Sequence, residues 1–207
     1  CWPGSYPCSF SGFTHNPMQK IILASQSPRR KQLLEWAEVP FEIRVKETDE
    51  SYPAGLSLEA IAIHIARNKA LAVAESAGKE VPILSADTIV VLNNEVIGKP
   101  RDRDDAVSIL SKLSGRVHQV ITGVCILNHN EELHFAETTE VEFHPLTTAQ
   151  LEFYVDQYKP YDKAGAYAIQ EWIGVVGIKR INGDFYNVMG LPVSRVVQAL
   201  QGLRFTV

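Results

Sequence analysis

Cysteine is scarce in this sequence: Cys1, Cys8 and Cys125 are the only three among 207 residues. They form neither a disulfide framework nor a metal-type spacing. The six histidines are scattered along the chain, which gives a histidine metal site little support. No apolar run approaches the ~20 residues of a membrane helix, and the N-terminus lacks the charged and apolar sections of a signal peptide. A basic excess is missing too. With 20 Lys and Arg against 24 Asp and Glu, the formal charge is −4, which argues against a general nucleic-acid binder or an anionic-membrane binder. Three motifs are also absent: the Gly-x-x-x-x-Gly-Lys-Ser/Thr of a P-loop, the Gly-x-Gly-x-x-Gly of a dinucleotide fold, and the Gly-x-Ser-x-Gly of a serine hydrolase elbow. A soluble cytoplasmic protein is expected, and any phosphate recognition in it must be local.

Hydrophobic residues make up 45% of the chain, enough to bury the core of one α/β domain, with room for two lobes. The first 17 residues, Cys1 to Pro17, are rich in Gly, Pro, Ser and aromatics and have no helical or strand period. They read as a disordered extension ahead of Met18, with the folded domain at 18–207. Beyond them strand and helix patterns alternate: Ile21–Ala24 strand, Pro28–Trp36 helix, Phe41–Val45 strand, Leu58–Ala77 helix. Such alternation implies an α/β sheet. Val81–Ala86 and Thr88–Leu92 read as a buried strand interrupted by Asp87, with a turn at Asn93-Asn94 and a return over Glu95–Ile97. A helix over Asp102–Leu113, strands over His118–Leu127 and Glu137–Phe143, and a helix over Thr148–Gln157 capped by Thr147 follow. After a loop from Lys159 through Gly165, Ala166–Gln170 and Gly174–Ile181 read as strands. Asn182-Gly183 then reads as a hairpin turn, Asp184–Val188 as its return and Leu191–Leu200 as a closing helix. There is no internal repeat, low-complexity tract or domain linker.

Ser25-Gln26-Ser27-Pro28-Arg29-Arg30 stands between the first strand and the first helix. Proline in the first turn needs no N–H partner, so the free N–H groups and positive dipole end face outward beside two hydroxyls and two arginines, which suits a phosphate. An ordinary Ser27 cap with solvated arginines fits the same residues, and the motif alone does not separate the two readings. Asp87 is the sharpest single residue, because an unpaired carboxylate in an apolar strand is costly and requires a metal, a cation or backbone donors. Thr88 beside it points to the other face of the strand, or is there for β propensity alone. Glu47, Asp49 and Glu50 are suited to supplying oxygen ligands for Mg²⁺ or Mn²⁺, although a solvated loop is the commoner fate of such a run. Lys69 on the long helix and Lys99 in Gly98-Lys99-Pro100 are phosphate candidates, the second better held by its neighbours. His118 reads as a structural imidazole. Gln170, an amide at the end of a predicted strand, has the paired donor and acceptor to read the edge of a nucleobase.

Six segments carry a resemblance: Ser25-x-Ser27-Pro28-Arg29-Arg30, Ala86-Asp87-Thr88, Gly98-Lys99-Pro100, Ser114-Gly115-x-x-His118-x-Val120, Asp162-Lys163-Ala164-Gly165-x-Tyr167-x-Ile169-Gln170, and Asn187-Val188-x-Gly190-Leu191-Pro192. In this order, from about Met18 to Leu200, they resemble the Maf family of nucleoside triphosphate pyrophosphatases. The resemblance implies an elongated mixed sheet flanked by helices, two lobes with a central cleft as in inosine triphosphatases, and commonly a homodimer. It implies hydrolysis of a nucleoside triphosphate between the α and β phosphates with a divalent cation. It makes Asp87 the proton acceptor or metal-linked base, with Glu50 sharing the metal. Ser25, Arg29, Arg30, Lys69 and Lys99 would surround the triphosphate. At Arg29, Thr88 and Gln170 the chain is similar to the subgroup that hydrolyses dTTP and UTP, whereas the subgroup acting on methylated guanosine triphosphate typically has Asp-Gln where this chain has Asp87-Thr88. House-cleaning of modified nucleotides is a related expectation, and a nucleotide-binding regulator of septum formation is the non-catalytic alternative.

Overall fold

The computed structural model describes residues 19–77, 80–129 and 131–203. The extension expected over Cys1 to Pro17 lies outside them. A single mixed sheet runs through the described residues. Its strands are β1 (Ile21–Leu23), β2 (Phe41–Ile43), β3 (Ile83–Leu92), β4 (Glu95–Ile97), β5 (Val117–Asn128), β6 (Glu131–Phe143) and β7 (Ile178–Asn182). The spatial order is β2-β1-β3-β5-β6-β7, with β4 also on β3. The β1 pairings with β2 and β3 are parallel, and the remaining pairings are antiparallel. Helices α1 (Pro28–Trp36), α2 (Leu58–Ala77), α3 (Arg103–Leu113), α4 (Thr148–Tyr158), α5 (Trp172–Gly177), α6 (Phe185–Met189) and α7 (Val193–Gly202) cover its faces.

The two faces of β3 are buried by different partners, as the period-2 alternation of a strand requires. Ile89 and Val91 pack with Ile61, Ala62 and Ile65 of α2, and Ile83 packs with Ala66, Ala70 and Val73 of the same helix. Leu84, Ala86, Val90 and Leu92 point the other way, into the larger core with Leu33 and Leu34 of α1, Leu110 of α3, Tyr154 of α4 and Leu200 of α7. Each fully buried Ile, Leu or Val contributes about 1.5–3 kcal/mol, so α2 is held firmly in place along the sheet. Its approach is unusually close: a Cβ on Gly123 of β5 would lie 2.2 Å from the carbonyl carbon of Ala62. Gly123 is the partner of Asp87 in the β3–β5 ladder.

One edge of β3 pairs with β5 along most of its length. On the other edge, β1 pairs with Ile83 and Leu84, and β4 pairs with Val90, Val91 and Leu92. Residues 85–89 therefore have no strand beside them on that edge among the described residues, and Asp87 and Thr88 stand in the middle of the gap. A cleft opens there.

Several sequence expectations need correction. Asp87 does not interrupt its strand; β3 is continuous from Ile83 to Leu92, and the carboxylate is accommodated by the Lys69 ammonium of α2. Ala166–Gln170 is not a strand: a 3-10 turn over Ala164–Ala166, with Gly165 at φ +70°, leads into a tight turn. The run Gly174–Ile181 divides into α5 and β7, and Asp184–Val188 belongs to helix α6 rather than to a hairpin return. Val, Ile and Tyr favour strands intrinsically, but an Asp184 side chain accepting from the Tyr186 N–H and a left-handed Gly190 after Met189 begin and end a helix instead.

Candidate active site

The β1–α1 junction forms the first wall. Ser27 caps α1, its Oγ accepting from the Arg30 N–H, and Pro28 occupies the first turn. The side chain of Arg30 then folds inward rather than into solvent. Its Nε donates to the Gly190 carbonyl at 2.8 Å, Nη1 to Ser25 Oγ at 3.1 Å and Nη2 to Thr88 Oγ1 at 3.0 Å. Thr88 Oγ1 lies 2.9 Å from Thr122 Oγ1, which donates to the Asn187 carbonyl. Asn187 in turn donates to the Val120 carbonyl and to Thr139 Oγ1. Burial holds the Arg30 guanidinium below its ordinary value, partly offset by the nearby Asp87 charge, and an arginine remains charged at physiological pH regardless. Gly190 is favoured where it stands because its φ is +119°, a backbone conformation that other residues adopt only with strain.

The second wall is built from ion pairs. Lys69, in the middle of α2, donates to Asp87 Oδ1 at 2.6 Å and to Glu50 Oε1 at 2.7 Å. Its side chain is 19% exposed and that of Asp87 13%, so the pair is shielded but open to the cleft. Lys99 Nζ lies 3.7 Å from the other Glu50 oxygen. The Lys69 hydrogen bond holds the Glu50 carboxyl below its ordinary value despite partial burial. Glu50 belongs to the exposed stretch between β2 and α2. In that stretch Asp49 turns away to accept from the Ser51 N–H and hydroxyl, while Glu47 lines the cleft.

The third wall comes from the segment after α4 and from Arg29. Arg29 Nε donates to the Met189 carbonyl, and its Nη1 lies 3.6 Å from Asp162 Oδ2. Lys163 Nζ donates to Asp162 Oδ1 at 2.8 Å and lies 3.7 Å from Glu171 Oε1. The Tyr154 hydroxyl donates to the other Glu171 oxygen and accepts from the Ala168 N–H. Below this lip, Tyr167 bonds His118 Nε2 at 2.7 Å, and both rings pack edge-on against Phe143. Burial pushes His118 down to about 4, in keeping with the structural role expected of it.

Ser25, Arg29, Arg30, Glu50, Lys69, Asp87, Thr88 and Lys99 all line one cleft of about 750 Å³. Gln170 does not; it is exposed, on the turn just past Ala168. Sequence reasoning missed Asp162, Lys163 and Gly190 as parts of this site. All three lie in segments already marked by motifs, but their roles depend on contacts with distant parts of the chain. A family model described as Maf-like protein matches residues 20–203. The chain belongs to the Maf family. Its relatives within that family include the dTTP/UTP pyrophosphatase of Parabacteroides distasonis, 48% identical over 183 residues, covering 88% of this chain and 95% of that one. Another is the dTTP/UTP pyrophosphatase of Cytophaga hutchinsonii, 48% identical over 192 residues, covering 93% and 87%. A third, from Porphyromonas gingivalis and carrying the same description, is 44% identical over 185 residues, covering 88% and 93%. No helix among the described residues is long and apolar enough to cross a membrane.

Proposed function

We propose that this Maf protein hydrolyses nucleoside triphosphates, dTTP and UTP foremost, to the monophosphate and pyrophosphate. The observation that carries this reading is the convergence of Arg30, Lys69 and Lys99 on one cleft around Asp87, at the gap in the sheet edge. A triphosphate brings about four negative charges at neutral pH, and cleaving it requires those charges to be held and neutralised. Lys69 and Lys99 are long side chains paired with Glu50 and Asp87, so phosphate oxygens can take them over by exchange. Arg30 is fixed by three hydrogen bonds, and its remaining N–H groups are directed without reorganisation. Asp87 acts as the base that orients a water and accepts its proton as the α phosphorus is attacked, with pyrophosphate leaving in line.

The residues fit a divalent cation. Asp87 and Glu50 aim oxygens at one point, held by the Lys69 ammonium, and carboxylates are the hard donors that Mg²⁺ and Mn²⁺ take. No group of three or more His, Cys, Asp or Glu suited to a metal occurs among the described residues. Asp87 and Glu50 would therefore hold the ion together with substrate oxygens and water, as is usual for Mg²⁺ at phosphates. Bound there, such an ion supplies charge neutralisation and a more acidic water.

The test is a pyrophosphate-release assay over natural and modified triphosphates, with and without a chelator. Release from dTTP and UTP that the chelator abolishes and Mg²⁺ or Mn²⁺ restores is the expected result. Tight dTTP binding with no pyrophosphate released would favour the non-catalytic regulator.

A further inference from the structure

The first two walls and the third differ in charge balance, and that difference assigns them different ligands. Along the first two walls Arg30, Lys46, Lys69 and Lys99 outnumber Glu47, Glu50 and Asp87, which suits phosphates. On the opposite lip, Arg29 and Lys163 are matched by Asp162 and Glu171, so no net charge is left for a phosphate to neutralise. What this lip offers instead is a pattern. The Asp162 carboxylate sits between two cationic donors, the Arg29 guanidinium at 3.6 Å and the Lys163 ammonium at 2.8 Å. All three residues line the cleft. Lys163 is only 8% exposed, held from behind by Glu171, which is itself held by Tyr154. A surface lysine has no such support.

We infer that Arg29, Asp162 and Lys163 read the pyrimidine base as a donor, acceptor, donor row. Uracil and thymine present the complement along one edge, a carbonyl oxygen, the N3–H and a second carbonyl oxygen. Cytosine presents an amino donor and an unprotonated N3, which set a cation against the amino group and a lone pair against the Asp162 carboxylate. The row also accounts for a neutral recognition surface opposite a cationic one: a pyrimidine carries no charge to be matched. Adjacent residues on a helix point about 100° apart, which lets Arg30 turn inward to Thr88 while Arg29 turns along the Met189 carbonyl to Asp162. Asp162 titrates below the ordinary carboxylate range: burial pushes it up, but the Lys163 bond and the Lys163 and Arg29 charges outweigh that. At neutral pH it is therefore an acceptor only. This inference rests on the pyrophosphatase reading above and assigns its base specificity to residues beyond Arg29, Thr88 and Gln170.

The experiment compares kcat/KM for UTP and CTP in the wild type and in Asp162→Asn, and measures N3-methyl-UTP with the wild type. Asparagine can turn its amide N–H toward cytosine N3, so the UTP to CTP ratio falls by about 10- to 100-fold. N3-methyl-UTP, which lacks the N3–H, loses at least about 10-fold against UTP in the wild type, a result that stands even where the variant does not fold. A ratio unchanged in folded Asp162→Asn, or equal turnover of UTP and N3-methyl-UTP, overturns the base reader and leaves the pyrophosphatase reading intact. If the wild type releases pyrophosphate from no triphosphate, that reading fails instead. Equilibrium binding of UMP and CMP then decides the reader: UMP favoured in the wild type but not in Asp162→Asn supports it, and equal binding of the two by the wild type overturns it.

Discussion

Asp87 and Thr88 are neighbours on one strand, yet they open onto two kinds of chemistry. On the Asp87 side, Lys69, Glu50 and Lys99 form ion pairs on long side chains at the mouth of the cleft. On the Thr88 side, Arg30, Ser25, Thr122 and Asn187 form a buried hydrogen-bonded network that ties α1 and α6 to the sheet. Partly exposed ion pairs contribute little to stability, typically 0–1 kcal/mol, whereas a buried donor or acceptor left without its partner costs about 1–3 kcal/mol. The first side is therefore free to exchange partners with a ligand. The second is committed to the fold, and it supplies a fixed frame for whatever the first side binds.

The contrast breaks most severely at Asp87. Asp87→Asn lowers kcat for dTTP by about 10²- to 10⁴-fold, the usual contribution of a positioned base, while its urea midpoint stays near the wild type because Lys69 keeps Glu50. Near-normal turnover with Mg²⁺ saturating would remove Asp87 from the chemistry. Arg30→Met tests the other side. It strands Ser25, Thr88 and the Gly190 carbonyl, and chemical denaturation is expected to show a loss of about 3 kcal/mol; a loss under 1 kcal/mol would mean that the network is not structural.

His118, buried in the aromatic cluster with Tyr167 and Phe143, gives the fold a pH dependence. Its pKa falls from 6.5 to about 4 on folding, so the unfolded chain binds more protons between those values. The stabilisation from keeping His118 neutral is complete above pH 6.5 and is lost as pH falls toward 4, by about 2–3 kcal/mol. Thermal midpoints of the wild type should drop across this window more steeply than those of His118→Gln; parallel curves would contradict the assignment. Gly190→Ala is a smaller perturbation, about 1–2 kcal/mol from the positive φ, with substrate KM raised as the Arg30 anchor shifts. The smallest effect on stability is expected for Lys99→Met, whose side chain is 56% exposed and only loosely paired with Glu50, at most about 1 kcal/mol in the same denaturation assay. A larger loss there would erase the difference between the two sides.

The elements that the sequence made legible are those whose signals are local. Ser27-Pro28 begins a helix through its own side chain and ring, and it does so here. Thr147 and Gln150 form a capping box over three residues. In the misread stretch, 166–188, the local signals compete: Asp184 caps α6, but Asn182-Gly183 just before it has the composition of a hairpin turn. Gly174 sits where a Cβ would collide with the Ile169 carbonyl, a close backbone approach that the β-favouring composition around it does not signal. The position of Asp87 was legible for a different reason: a carboxylate in an apolar strand is anomalous whatever surrounds it.

By itself, then, the amino-acid order determined the alternation of helices and strands up to α4, the anion-suited start of α1 and the presence of a costly charge at Asp87, because each depends on neighbours a few residues away. Only the tertiary structure decided which cation meets which anion. Lys69 reaches Asp87 across 18 residues of chain, and Arg30 reaches Gly190 across 160. Pairings over such separations are set by how α2 and α6 dock on the sheet, and docking is the collective result of buried apolar area, which no short segment encodes.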